Sequence, residues 1–145
     1  MAIVRLFSPP DVDAVMGIVR TALKENYPPS LYLDLFHWWR EGFMVAENSV
    51  RIVGFVASVM PAPGQARILM LAVDEPHRSQ GVGSQLIGAF LRECAMKGLR
   101  TVELEVRQSN KRAISFYRRH GFEVSYSLER FYTDGEDGFK MVRHF

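Results

Sequence analysis

Apolar positions in this 145-residue chain repeat at two spacings, 2 in some stretches and about 3.6 in others, and the switches between them read as β-α-α-β-β-β-α-β-α-β-β. Ala2 to Phe7 forms a first strand. Ser8-Pro9-Pro10-Asp11 starts a helix in which Ser8 can cap and Asp11 can complete a capping box, and Val12, Val15, Met16, Val19, Ala22 and Leu23 then recur at helical spacing to about Lys24. The segment Glu25–Ser30, with two prolines, stops it. Ser30 is expected to cap a second helix, Leu31 to about Arg40, with Leu31, Leu35 and Trp38 on one stripe and Gly42 at its end.

Phe43–Glu47, Ile52–Met60 and Ala66–Val73 read as a meander of three strands joined by tight turns, the last being an unbroken apolar run from Ile68, as in a strand buried on both faces. A third helix runs from Gly83 to Lys97, with Leu86, Ile87, Phe90, Leu91 and Cys94 inward and Gly98 as its left-handed stop. Thr101–Arg107 alternates: Val102, Leu104 and Val106 take one face, Glu103, Glu105 and Arg107 the other. Asn110 caps a fourth helix carrying Ala113, Ile114, Phe116 and Tyr117 and ended by His120-Gly121. Two last strands, about Phe122–Ser127 and Phe139–His144, enclose the polar loop 131–138. Without repeat or linker this is one α/β domain, residues 1–145, with a mixed sheet of six to seven strands flanked by four helices.

Where the apolar run ends, a basic, glycine-rich turn, Arg78 to Gly83, feeds straight into the third helix. Glycines let backbone N–H groups converge on an anion at the positive end of a helix, so this junction points to a phosphate-bearing cofactor. A Walker loop needs a lysine after its last glycine, and Gly83 is followed by Ser84 and Gln85. A dinucleotide fingerprint needs a third glycine where Leu86 stands, although Glu103 and Glu105 lie near the distance of its acidic residue.

Composition narrows the partners. A content of 48% hydrophobic and 23% charged residues is that of a globular domain, and a formal charge of +2 with dispersed basic residues gives no ground for specific nucleic-acid binding. One cysteine, Cys94, permits no intrachain disulfide and fits a reducing compartment; with no leader or membrane-spanning run, a cytoplasmic location is expected. The four histidines, at 37, 77, 120 and 144, lack metal-ligand spacing, so no metal is expected.

The pattern Arg78-x-x-Gly81-x-Gly83 resembles the acetyl-CoA loop of the GNAT superfamily of acyl-CoA-dependent N-acyltransferases, and the element order matches that family along nearly the whole chain. Leu104–Phe122, LEVRQSNKRAISFYRRHGF, is similar to the strand-to-helix segment of the N-terminal protein acetyltransferases, including the ribosomal-protein alanine acetyltransferases. The resemblance implies a GNAT fold and direct acetyl transfer from acetyl-CoA to an amine through a tetrahedral intermediate. It implies a pyrophosphate held mainly by main-chain amides of Arg78, Ser79, Gln80, Gly81, Val82, Gly83 and Ser84, and an oxyanion met near Leu71, Ala72 and Val73. Asn110 is expected on the pantetheine arm besides capping its helix. Glu105 matches the general base, acting through water, and Tyr117 the tyrosine that protonates the departing thiolate. From the residues alone, Glu105 cannot be chosen over Glu103.

Two further segments concern the acceptor. ENYPPSLYLDLF and FYTDGEDGFKM look like the two loops that close over the first peptide residues in archaeal and eukaryotic N-terminal acetyltransferases of the NatA catalytic-subunit type. Glu25, Tyr27 and Tyr132 are therefore expected to contact the acceptor, with Glu25 sharing the base role. Arg67 stands where archaeal relatives often carry a histidine, and Phe131 and Gly138-Phe139 also depart from the pattern, which leaves the N-terminal preference open. The implied partners are protein or peptide N-termini, with the ribosome or ribosomal proteins as a further candidate; Lys111, Arg112, Arg118 and Arg119 read either as a contact for it or as solvated side chains. A lysine side chain or small amine as acceptor, and a non-catalytic acyl-CoA-binding module, are the alternative readings.

Overall fold

The structure, a computed structural model, describes residues 2–145, so only the first residue of the expected domain lies outside it. Seven strands, β1 (Ile3–Leu6), β2 (Phe43–Glu47), β3 (Ile52–Ala62), β4 (Gln65–Val73), β5 (Thr101–Arg107), β6 (Glu123–Leu128) and β7 (Gly138–His144), form one sheet in the order β1-β2-β3-β4-β5-β7-β6. The four α-helices are α1 (Val12–Ile18), α2 (Pro29–Trp38), α3 (Val82–Lys97) and α4 (Lys111–Arg119). Every neighbouring pair of strands is antiparallel except β4 and β5. The mixed sheet and four helices expected above are observed, with seven strands.

Each face of the sheet buries its own core. On one, Leu86, Ile87, Phe90 and Cys94 of α3 and Ile114 of α4 pack on Val56, Val102, Leu104 and Met141. Cys94 is buried there, and burial pushes its thiol up to about 12, so it serves as a packing residue. On the other face Phe7, Val15, Tyr32, Leu35, Phe43 and Phe55 meet. Full burial of each such side chain contributes about 1.5–3 kcal/mol.

The capping box at the start of the first helical stretch forms. The Asp11 carboxylate accepts the Ser8 N–H at 2.9 Å and two bonds from Arg5 at 2.8 and 3.0 Å, and Arg5 also reaches Glu47 at 2.8 Å. The stretch is not one α-helix, however. A 3₁₀ turn at Pro9–Asp11 precedes α1, and a π-helical segment, Val19–Leu23, follows it and closes at Lys24, whose φ is 57°. A wider i→i+5 turn displaces Ala22 and Leu23 from α-helical positions.

Two expectations for α2 fail together. The helix begins at Pro29, with Pro28 in the capping position, so Ser30 lies inside the helix. The helix ends at Trp38, and Trp39 leaves it in an extended conformation, with φ −156°; Trp38 is 66% exposed, while Trp39, at the turn that follows, is 4% exposed. Gly42 lies against the Trp39 indole so closely that a Cβ there would overlap the ring.

β4 departs from its reading as a strand buried on both faces. Ala57 pairs with Met70 but Ser58 pairs with Ile68, so Leu69 bulges out of the ladder, and it is 39% exposed. On its other edge β4 pairs with β5 only at Gln65–Thr101, Ala66–Val102 and Arg67–Glu103. Beyond Arg67 the two strands separate, which leaves one edge of Leu71–Val73 open instead of covered.

Candidate active site

The opening between β4 and β5 leads into a cavity of about 500 Å³. Leu71, Ala72 and Val73 line it from β4, Arg78, Ser79, Gly81, Gly83 and Ser84 from the glycine-rich turn, and Asn110 and Tyr117 from the start and body of α4. Ten of the residues expected at the cofactor thus share one wall-to-wall space. Two others do not line it: the Gln80 amide donates to the Pro76 carbonyl at 3.5 Å, and the Val82 side chain is buried in the core.

Local backbone explains the turn. Gly81, at φ 83°, is the N-cap of α3, and Ser79 adopts φ 68°, a left-handed conformation uncommon outside glycine. The first intrahelical acceptor of α3 is the Gly81 carbonyl, taken by the Gln85 N–H at 2.9 Å. The N–H groups of Val82, Gly83 and Ser84 therefore have no partner within the helix, and the positive end of a sixteen-residue helix opens on the cavity. Arg78, Arg112 and Arg119 add three guanidinium groups to the wall and no carboxylate lines it. A polyanion with an apolar arm suits this lining, which sets free N–H groups and arginines beside the apolar side chains of Leu71, Ala113, Phe116 and Tyr117.

Strand alternation aims the β4 amides. The Asp74 N–H bonds the Val53 carbonyl of β3 at 2.8 Å, so Ala72 also faces β3 while Leu71 and Val73 turn their N–H and C=O groups toward the opening. Arg78 Nε takes the Val73 carbonyl at 3.2 Å, tying the turn to the strand. The Asn110 side chain accepts the Ala113 N–H at 3.1 Å, as a helix cap does. Tyr117 is half-buried, and burial raises its phenol above the ordinary range, so it stays protonated at neutral pH.

Several lining residues escaped the sequence reading. Ala22 and Leu23 of the π segment border the cavity, as do His77, Ala113 and Phe116. Ala113 and Phe116 share the apolar side of α4 with Tyr117, a helical spacing that could have marked them. No pattern in the sequence announces the π segment.

Glu105 lies on the face of β5 turned away from α3 and α4, beside Arg67 of β4 and Lys140 of β7. Its Oε1 accepts from Arg67 Nε at 3.0 Å and Nη2 at 2.5 Å, and its Oε2 from Lys140 Nζ at 2.6 Å, with the side chain 10% exposed. Burial alone would raise its pKa, but the bonds from Arg67 and Lys140 outweigh it and hold the carboxyl below its usual value. Lys140 also reaches Glu103 at 3.2 Å. Arg67 appears in the sequence only as a departure from a pattern; Lys140 is brought to Glu105 by the β5–β7 register, which sequence spacing does not carry.

Tyr132 stands over the same end of β5. Arg107 packs 4.1 Å from its ring centroid and also holds Asp134 at 2.9 Å and Glu136 at 2.8 Å, while Glu136 accepts the Ser109 N–H at 3.0 Å. The loop before β7 is thus tied to the end of β5 by the Arg107 side chain and to the turn after it by Ser109. Burial, with Glu105 and Glu136 adding to it and Arg107 opposing, raises the Tyr132 phenol. Glu25 is exposed, one residue past the left-handed Lys24, and Tyr27 is half-buried against the second core. Neither lines the cavity, but the Ala22–Leu23 wall leads directly into their segment.

A model described as the acetyltransferase (GNAT) family matches residues 12–122. The chain belongs to that family. This GNAT acetyltransferase is 34% identical to the N-alpha-acetyltransferase of Sulfolobus acidocaldarius, over 96% of this chain and 90% of that protein. It is 37% identical to an uncharacterized N-acetyltransferase of Methanocaldococcus jannaschii, over 97% and 90%. The crystal structure of Ard1 from Thermoplasma volcanium matches it with a TM-score of 0.93 at 40% identity, covering 99% of this chain and 97% of the other. The ribosomal-protein-S18-alanine N-acetyltransferase from Escherichia coli shares the fold, with a TM-score of 0.87 at 24% identity and 99% and 94% covered. No helix among the described residues is long and apolar enough to cross a membrane.

Proposed function

We propose that this acetyltransferase uses acetyl-CoA to acetylate the α-amino groups of protein N-termini. The observation that carries the reading is the continuity of one cavity, from the free N–H groups of α3 past the β4–β5 opening to Ala22 and Leu23, where the segment bearing Glu25 and Tyr27 begins. The similarity to the Sulfolobus acidocaldarius protein named N-alpha-acetyltransferase, over nine-tenths of both chains, supports it.

Bound acetyl-CoA would supply an activated thioester acyl group. Val82, Gly83 and Ser84 amides with Arg78, Arg112 and Arg119 would hold its phosphates, and Asn110 would border its arm. The Leu71 and Val73 N–H groups face the opening and would donate to the acyl oxygen as that oxygen gains charge. Tyr117 keeps its proton at neutral pH and would deliver it to the departing sulfur.

The clamp on Glu105 shapes the choice of acceptor. A carboxylate already accepting from Arg67 and Lys140 is a weak direct base, so the enzyme depends on amines that are neutral when they arrive. An α-amine has a pKa of roughly 7.7–8.0 and a lysine side chain roughly 10.4, so at about pH 7.5 the neutral fraction favours the α-amine by about two hundredfold. Glu105 then orders a water or the incoming amine, with Tyr27, Glu25 and Tyr132 around the first residues of the peptide.

The test is acetyl transfer from acetyl-CoA to peptides beginning Ser, Ala, Thr, Met-Leu and Met-Glu, beside N-terminally blocked lysine peptides and spermidine. Turnover confined to free N-termini is expected. Turnover of lysine or spermidine alone overturns the reading, and CoA binding without turnover of any acceptor would point to a binding module.

A further inference from the structure

At the helix end of the cavity, Ser84 has a partner that the phosphate-loop pattern does not include. Its hydroxyl lies 3.1 Å from Nε2 of His120, thirty-six residues away at the C-terminal end of α4. His120 packs against Phe116, with ring centroids 4.8 Å apart and the ring planes tilted by 51°, and its backbone carbonyl accepts from Arg143 Nε at 3.0 Å. The charged groups that face it are Arg119, on its own helix, and Arg143 of β7; Ser84 meets it from α3. Burial, Arg119 and Arg143 lower its pKa, so the free enzyme holds it neutral at pH 7.

A neutral imidazole offers Ser84 two arrangements. Either Nε2 accepts the hydroxyl proton, and Ser84 points only lone pairs elsewhere, or Nε2–H donates to Oγ and the hydroxyl proton is free to point into the cavity. An anion at the N-terminus of α3 selects the second. It also brings negative charge that offsets Arg119 and Arg143, which favours a second proton on the ring.

Resting on the acetyl-CoA reading of the cavity, we propose that His120 and Ser84 form a relay to the cosubstrate's diphosphate, His120 Nε2–H to Ser84 Oγ–H to a phosphate oxygen, so that cosubstrate binding takes up a proton. No bond is made or broken apart from that of the proton, which comes from solvent. His120 is a positioning residue: it acts on the ligand through Ser84.

The sign of the linkage follows. His120 has a lower pKa in the free enzyme than in the complex, so affinity rises as pH falls through the interval between the two values. A one-unit rise on binding gives at most a tenfold lower Kd across that interval.

The experiment is titration calorimetry with CoA at pH 6 to 8, in buffers of differing ionisation enthalpy, on the full chain and on His120→Gln and Ser84→Ala. Dephospho-CoA and pantetheine serve as further ligands, because the 3′-phosphate titrates by itself. The expected result is proton uptake by the parent enzyme with CoA and dephospho-CoA and none with pantetheine, with both variants binding CoA on a flatter pH profile. Uptake and slope unchanged in both variants would overturn the relay while leaving the acetyl-CoA reading intact. Absence of CoA binding to the parent at any pH would sink both. Ser84→Ala, a surface change at the helix start, keeps the test decisive if His120→Gln unfolds.

Discussion

Replacing Glu105 by Gln is the perturbation that best separates a clamped carboxylate from a free general base. General-base catalysis contributes roughly 10²–10⁴-fold to a rate. Arg67 and Lys140 occupy three of the four lone-pair sites of the Glu105 carboxylate, and taking a proton at the remaining one weakens bonds that, being charge-assisted, are worth about 1.5–3 kcal/mol each. That cost removes roughly 10- to 150-fold of the benefit. Glu105→Gln is therefore expected to lower kcat/KM for an N-terminal peptide by about tenfold and not by hundreds. Because Arg67 and Lys140 hold the Glu105 pKa low, the carboxylate is ionised across the working range and sets no limb of the pH profile. The limb at low pH should come from the peptide amine: kcat/KM climbs tenfold per unit and levels near pH 8, at the same position in parent and variant. The assay is initial-rate acetylation of one peptide from pH 6 to 9.5. A loss above a hundredfold, together with disappearance of a limb near pH 6–7 in the variant, would refute the clamp argument, because such a limb requires a carboxyl raised and not lowered.

Tyr117→Phe should reduce kcat by roughly 10- to 100-fold with CoA affinity unchanged in calorimetry, since the phenol is assigned to the leaving group and its ring remains. At Gly138 a Cβ would sit 3.1 Å from the Tyr132 ring and 3.2 Å from the Val106 carbonyl, so Gly138→Ala should push Tyr132 by a few tenths of an ångström. The expected readout is a several-fold lower kcat/KM for peptide at constant CoA affinity. Asp11, held by Arg5 and Ser8, has a pKa below its unfolded value of about 3.9, so its contribution is present above that pH and is lost as pH falls through the folded value. Asp11→Asn should lower stability by about 1 kcal/mol at pH 7, a Tm drop of about 3 °C, and the gap to the parent should close in acid unfolding below about pH 4.

Most of the fold was legible because it rests on periodicity and punctuation. The alternation of β5, the Gly98 and Gly121 stops, with φ 81° and 89°, and the Asn110 cap all act locally. What the sequence misplaced depends on neighbours. Trp38 and Trp39 are adjacent, and which one is buried turns on where α2 ends, with Trp39 extended just beyond it. The apolar run of β4 reads as fully buried, yet the bulge at Leu69 and the departure of β5 leave it half open. Within the site the glycine-rich turn and the α4 residues fell together as expected. The Arg67–Glu105–Lys140 cluster did not show, because it joins three strands far apart in sequence, and a carboxylate's role there is decided by its partners.

The short β4–β5 ladder has a dynamic consequence. Residues 101–144 carry β5, α4, β6 and β7 as one contiguous stretch, hydrogen-bonded to the first half of the sheet through three paired positions. Such a stretch can open as a cooperative unit, swinging against β4 at a free energy below that of global unfolding. A ligand lying between Leu71–Val73 on one side and Asn110 and Tyr117 on the other spans the seam and fastens the two halves. Amide exchange in β5 and β7 should therefore slow on cosubstrate binding even at positions far from the cavity, with the C-terminal half behaving as a hinged leaf that its own substrate pins shut.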